Sequence, residues 1–204
     1  MLHLGAVESR TLGLLKSLHG IAELQHFYLA GGTALALRFG HRLSIDLDFF
    51  TAAPFEGDDL LRVLDQYYAV TIMAQAKNTL TVSLDSVKVD FIRHDYPIIK
   101  PVSVINELRI ASPEDIGAMK LNSITNRGAK KDFFDLHELL RHFPLSTLFG
   151  FYVQKYRYAD VSIALKSISY FDDAEIEPDP VSLRKASWNT IKKDLSEVVR
   201  TFGI

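Results

Sequence analysis

Leu12, Leu15, Leu18, Ile21 and Ala22 recur at helical spacing, which predicts a first amphipathic helix over residues 8–24. The apolar run "HFYLA" at 26–30 then reads as a short strand that stops at Gly31-Gly32, and "TALALRFG" reads as a short helix closed by Gly40. In "SIDLDFF", residues 44–50, the pattern alternates: Ile45, Leu47 and Phe49 on one face, Asp46 and Asp48 on the other. A loop, "APFEGDD", leads into a helix, "DLLRVLDQYYAV". Two strands, "TLTVSLD" and "VKVDFIR", follow, joined by a tight Asp-Ser turn. The stretch from Pro97 to Ile116 carries three prolines and reads as loop with short extended pieces. Ser112-Pro113-Glu114-Asp115 is a helix start, with a serine N-cap, proline at the first position and an acid three residues on. From Ile116 the pattern stays helical, broken near Arg127-Gly128, at Pro144 and across residues 172–181.

Strands therefore gather before residue 110 and helices after it, which predicts an α+β protein. The expected division is a catalytic core over 1–110 and a helical C-terminal region over 111–204, packed together as one unit. The chain has no internal repeat and no low-complexity tract. Its 204 residues suffice for one substantial core, 48% of them are apolar, and the net charge is −2. No general basic field draws nucleic acid, so any such contact must come from a local patch. Zero cysteines exclude disulfides and thiolate metal sites. With no membrane-length apolar run and no signal-like start, the expectation is a cytoplasmic protein without a membrane partner.

The chemistry begins with Asp46 and Asp48, two residues apart on a strand and projecting from one face. Neighbouring carboxylates repel unless a cation lies between them, and an all-oxygen donor set suits Mg²⁺ or Mn²⁺. Asp90, mid-strand in "SVKVDFI", completes a three-acid set for two metal ions if its strand lies beside the first. Gly31-Gly32 follows a strand and opens a helix, so backbone N–H groups there can approach phosphate oxygens closely. Thr33 adds a hydroxyl, and Ser44 joins the nucleotide-binding set. A phosphate loop, two metal-binding acids and a third acid on a neighbouring strand together describe a nucleotidyl-transfer site using an NTP. Lys120, on a helix with apolar Ile116, Met119 and Ile124, offers a compact charge for the triphosphate. Arg127, Lys130 and Lys131 form a local basic cluster for nucleotide or RNA phosphates. Arg42 can steady phosphate or pair with an acid, whereas His41, Phe133, Phe134 and Trp188 read as loop or packing residues.

"GGTALAL…GHRLSIDLDFF" resembles the nucleotidyltransferase signature of a glycine pair, a spacer and Asp-x-Asp, and in particular the AbiEii toxin family. "MKLNSITNRGAKKDFFDLHELL" resembles that family's later Lys…Arg…Lys-Asp-x-x-Asp-Leu motif, and "YFDDAEIEPDP" resembles a recurrent tail. The resemblance spans roughly residues 8–200. It implies the minimal nucleotidyltransferase sheet with flanking helices, a functional aspartate in the later motif, assigned to Asp132, and a type IV toxin countered by a separately encoded antitoxin. The acceptor it implies is RNA, with tRNA attractive. The same transfer onto a protein hydroxyl, a nucleotide-binding module without turnover and a metal-dependent phosphodiesterase stand as alternatives.

Overall fold

The computed structural model describes residues 1–202. Seven strands form one mixed sheet: β1 (Tyr28–Leu29), β2 (Leu47–Thr51), β3 (Val70–Ala76), β4 (Thr79–Leu84), β5 (Val87–Arg93), β6 (Ser103–Ile105) and β7 (Leu108–Ile110). Their order is β3-β4-β5-β2-β1-β7-β6. The β2–β5 and β1–β7 pairs are parallel and the others antiparallel. Helix α1 (Ser9–Gly20) precedes the sheet, and α2 (Gly31–Phe39) and α3 (Gly57–Leu64) fall between strands. After it come α4 (Pro113–Asn126), α5 (Lys130–Leu139), α6 (Leu145–Lys155), α7 (Val161–Ile168), α8 (Asp172–Glu175) and α9 (Trp188–Phe202).

The alternation of β2, β4 and β5 gives the sheet two unlike faces. Leu47, Phe49, Leu80, Val82, Leu84, Val89 and Phe91 are buried on one of them, since Leu47 pairs with Val89, Phe49 with Phe91 and Leu80 with Phe91 in register. Phe49 stacks on Phe91 at 5.4 Å, Phe91 meets Phe27 edge-on at 5.2 Å, and the α1 residue His19 packs on Phe49 at 5.2 Å. The opposite face carries Asp48 and Phe50 from β2 beside Asp90 and Ile92 from β5, again in register. One strand pair thus anchors the core with one side and displays acids with the other.

Local rules account for most boundaries. Ser112 Oγ accepts the Asp115 amide at 3.0 Å, as an N-cap does, and Pro113 occupies the first turn of α4. Asp85 and Ser86 both have positive φ (49° and 66°), the backbone that a two-residue hairpin turn between β4 and β5 requires.

Three sequence expectations are corrected. The strand expected to start at Ser44 starts at Leu47, and Ile45, expected on the buried face, is 60% exposed. Asp46 therefore lies in the extended segment just ahead of β2. The helix expected to run to Val70 ends at Leu64, and β3 follows as an edge strand whose residues are exposed after Val70. The short extended pieces expected within the loop at 97–116 are β6 and β7, which form a hairpin around Asn106-Glu107, again with φ of 49° and 66°.

Candidate active site

Gly31 opens α2 with φ +65°, a left-handed conformation that favours glycine. A β-carbon there would overlap the Asp48 carboxylate, and one at Gly32 would overlap the Arg42 guanidinium. The glycine pair is thus needed for space: backbone lies against an acid on one side and a cation on the other. The first-turn amides of α2 have no partner within the helix and carry the positive end of its dipole.

Gly31, Gly32, Ser44, Asp46, Asp48, Asp90, Lys120 and Arg127 line one cavity of about 690 Å³. Asp48 and Asp90 are direct cross-strand partners. The Asp90 carboxylate accepts Thr81 Oγ1 at 2.6 Å and Lys88 Nζ at 2.5 Å. Lys131 Nζ stands 3.5 Å from Asp46. The Asp48 side chain makes no hydrogen bond or ion pair among the described residues. Burial pushes its pKa up; nearby Lys120 opposes the rise and Asp90 adds to it. Among the described residues no three His, Cys, Asp or Glu side chains are grouped closely enough to hold a metal ion. Asp46, Asp48 and Asp90 share the cavity without converging on one point. An acid with unclaimed oxygens beside a second acid does fit a hard divalent cation, which takes few protein carboxylates and completes its shell from phosphate and water.

Beneath the cavity lies a buried ionic network. Asp135, fully excluded from solvent, accepts Arg42 Nε at 2.7 Å, Arg42 Nη2 at 3.0 Å and His41 Nε2 at 2.7 Å. Lys120 Nζ lies 2.6 Å from both Asp132 and Asp135. Burial alone would raise Asp135, but Arg42 and Lys120 overcome it and hold its pKa well below the usual carboxylate range. Burial likewise pulls Lys120 down, and Asp132 and Asp135 more than offset it.

Several expected site residues have positions that sequence alone did not reveal. Thr33 is buried, and its hydroxyl is engaged by Ser44 Oγ at 2.8 Å and by the Asp46 carbonyl. It braces the segment that carries Asp46. Asp132 is fully buried, with one oxygen on Lys120 and the other 3.5 Å from the exposed Arg127. Lys130 does not belong to the basic cluster. Its ammonium donates to the Glu177 carbonyl at 2.5 Å and to Asp179 at 2.9 Å, and sits 5.2 Å from the Trp188 ring centroid. Arg127, Lys131 and Lys88 are the solvent-accessible basic residues at the cavity, beside the buried Lys120 and Arg42.

The sequence reading chose Asp132 over Asp135, took His41 as a loop residue and gave Lys88 no role. Asp135 lies three residues after Asp132 on the same helix, and Lys88 two residues before Asp90 on the same strand; those spacings were the available signals. The tail at 177–183 folds back to pair with residues 41–43, through Leu43 N to the Val181 carbonyl and Leu183 N to the His41 carbonyl, both at 2.9 Å. Glu177, Pro178 and Asp179 therefore form one wall of the cavity.

The family model described as "Nucleotidyl transferase AbiEii toxin, Type IV TA system" matches residues 14–202. An uncharacterized protein of Aquifex aeolicus, aq_aa25, is 43% identical over 157 residues, covering 74% of this chain and 76% of that one. The fold is similar to that of JHP933 from Helicobacter pylori, with a TM-score of 0.58 at 20% identity over 96% of this chain and 92% of the other. It is also similar to MenT4, a nucleotidyltransferase toxin from Mycobacterium tuberculosis, with a TM-score of 0.57 at 14% identity over 95% and 86% of the two chains. A match over nearly the whole chain, together with the glycine pair set against Asp48, makes this protein a member of the AbiEii nucleotidyltransferase toxin family.

Proposed function

We propose that the protein transfers a nucleoside monophosphate from an NTP to a hydroxyl of RNA, with tRNA as the favoured acceptor. The observation that carries this reading is the Asp48 carboxylate, without a partner among the described residues, set between the Gly31 backbone and Asp90. The first-turn amides of α2 at Gly31 and Gly32, with Ser44, receive the triphosphate, and Lys120 and Arg127 balance its charge. Asp46 and Asp48, with Asp90 beside them, would hold Mg²⁺ or Mn²⁺, which when bound neutralises charge developing on the phosphates. Asp90 faces the acceptor side and takes the proton of the attacking hydroxyl. The new bond joins that oxygen to the α-phosphorus, the bond to the β-phosphate oxygen breaks, and pyrophosphate leaves. Asp132 acts from below by fixing the Lys120 ammonium.

The exposed cations Arg127 and Lys131 at the cavity mouth favour a polyanionic acceptor over a protein hydroxyl. The family is a toxin family, so a separately encoded antitoxin belongs to the same reading, as does action in the cytoplasm. No helix among the described residues is long and apolar enough to cross a membrane. Incubation with each labelled NTP, total RNA and a protein lysate, resolved by gel before and after ribonuclease, tests the acceptor. Ribonuclease-sensitive label is expected; label that survives ribonuclease and is lost to protease would assign a protein acceptor instead.

A further inference from the structure

Asp90 differs from Asp48 in having both oxygens engaged, one by Thr81 from the neighbouring strand and one by Lys88 from its own. Lys88 and Asp90 are two residues apart on β5, so both side chains project from the sheet face that carries Asp48. The Lys88 side chain is 43% exposed and lines the cavity, reaching in from the solvent side.

A second divalent cation at Asp90 would have to displace this ammonium or share a carboxylate with it, and like charges so close repel strongly. Resting on the nucleotidyltransferase reading above, we propose that Lys88 takes the place of a second metal ion, so that the site binds one divalent cation with the nucleotide rather than two. The fixed ammonium supplies positive charge on the acceptor side, and Thr81 fixes the other Asp90 oxygen so that the carboxylate keeps its orientation.

Metal stoichiometry tests this independently of turnover. Mn²⁺ is titrated into the folded protein with one equivalent of a non-hydrolysable NTP analogue, and bound ion is counted by electron paramagnetic resonance. Wild type and Lys88→Arg are expected to saturate at one Mn²⁺ per chain. Lys88→Met, which keeps the stem and removes the charge, is expected to bind two, and the added Asp90→Asn change should return it to one. Two ions in the wild type, no ion in the wild type, or a single ion in a folded Lys88→Met protein overturns the proposal. Label transfer from NTP is read separately, so a chain that binds one ion but transfers nothing would count against the catalytic reading and leave the role of Lys88 standing.

Discussion

Arg42 and Asp135 stand 93 residues apart in sequence and meet in two parallel hydrogen bonds, Nε to Oδ1 at 2.7 Å and Nη2 to Oδ2 at 3.0 Å. The pair sits directly under Gly32 and ties the segment ahead of β2 to α5, joining the sheet to the helical half. Arg42 Nη1 also donates to the Leu43 carbonyl at 3.0 Å, so all three guanidinium nitrogens bond to protein, which holds the group beneath Gly32.

Replacing Asp135 by Asn keeps its shape but leaves buried Arg42 without its carboxylate and Lys120 with Asp132 alone. Removing one partner of a buried pair costs about 3–5 kcal/mol, so Asp135→Asn should lower unfolding free energy by that order in urea titrations. Removing Asp59 from its exposed pair with Arg62 should cost less than about 1 kcal/mol. Equal effects at the two sites would show that the network does not hold the halves together.

Gly31 and Gly40 share a left-handed backbone, with φ of +65° and +63°, but only Gly31 touches the site. Alanine at either should cost about 1–3 kcal/mol through backbone strain. Gly31→Ala alone should also weaken NTP binding, by at least about tenfold, because its methyl group meets Asp48 where phosphate must approach. Calorimetry on the two variants separates strain from site chemistry; matching losses of affinity would remove Gly31 from the cradle.

His94 gives a pH signature. Burial, then the nearby Lys155 charge, lowers its pKa from 6.5 to about 4. Between those values the unfolded chain binds more protons than the folded one, so stability rises with pH from about 4 to 6.5. The gain is on the order of 3 kcal/mol. It should be fully present above pH 6.5 and lost as pH falls toward 4. His94→Gln should flatten that part of the unfolding profile, and an unchanged slope would exclude His94 as its source.

The glycine pair, the shared sheet face of Asp48 and Asp90, and the N-cap of α4 were legible because each rests on local rules: helix polarity, strand alternation and side-chain capping; Asp46, ahead of β2, escaped the alternation. The parallel β2–β5 pairing could be stated only as a condition, since register between distant strands leaves no trace in either one alone. β3 was missed because an edge strand exposed after Val70 has little apolar pattern to read. Lys130 looked like a surface cation beside Lys131 until the tail folded back over it, and Asp135 looked like a helix-surface acid until Arg42 arrived from the other half. For Lys130 and Asp135 the contact that settled the place of the side chain spans 47 and 93 residues.

In the proposed reaction the cavity bounded by Gly31, Asp48 and Asp90 moves the nucleoside monophosphate of an NTP. Parallel reactions with α-labelled and γ-labelled NTP, total RNA and Mg²⁺, run with wild type and a folded Asp48→Asn protein, test it most directly. Label should pass to RNA from the α position only, with γ label leaving as pyrophosphate, and the substitution should reduce transfer by at least about a hundredfold, the scale of losing one stabilising group at a transition state. Transfer of γ label to RNA, or undiminished α transfer by Asp48→Asn, would contradict it.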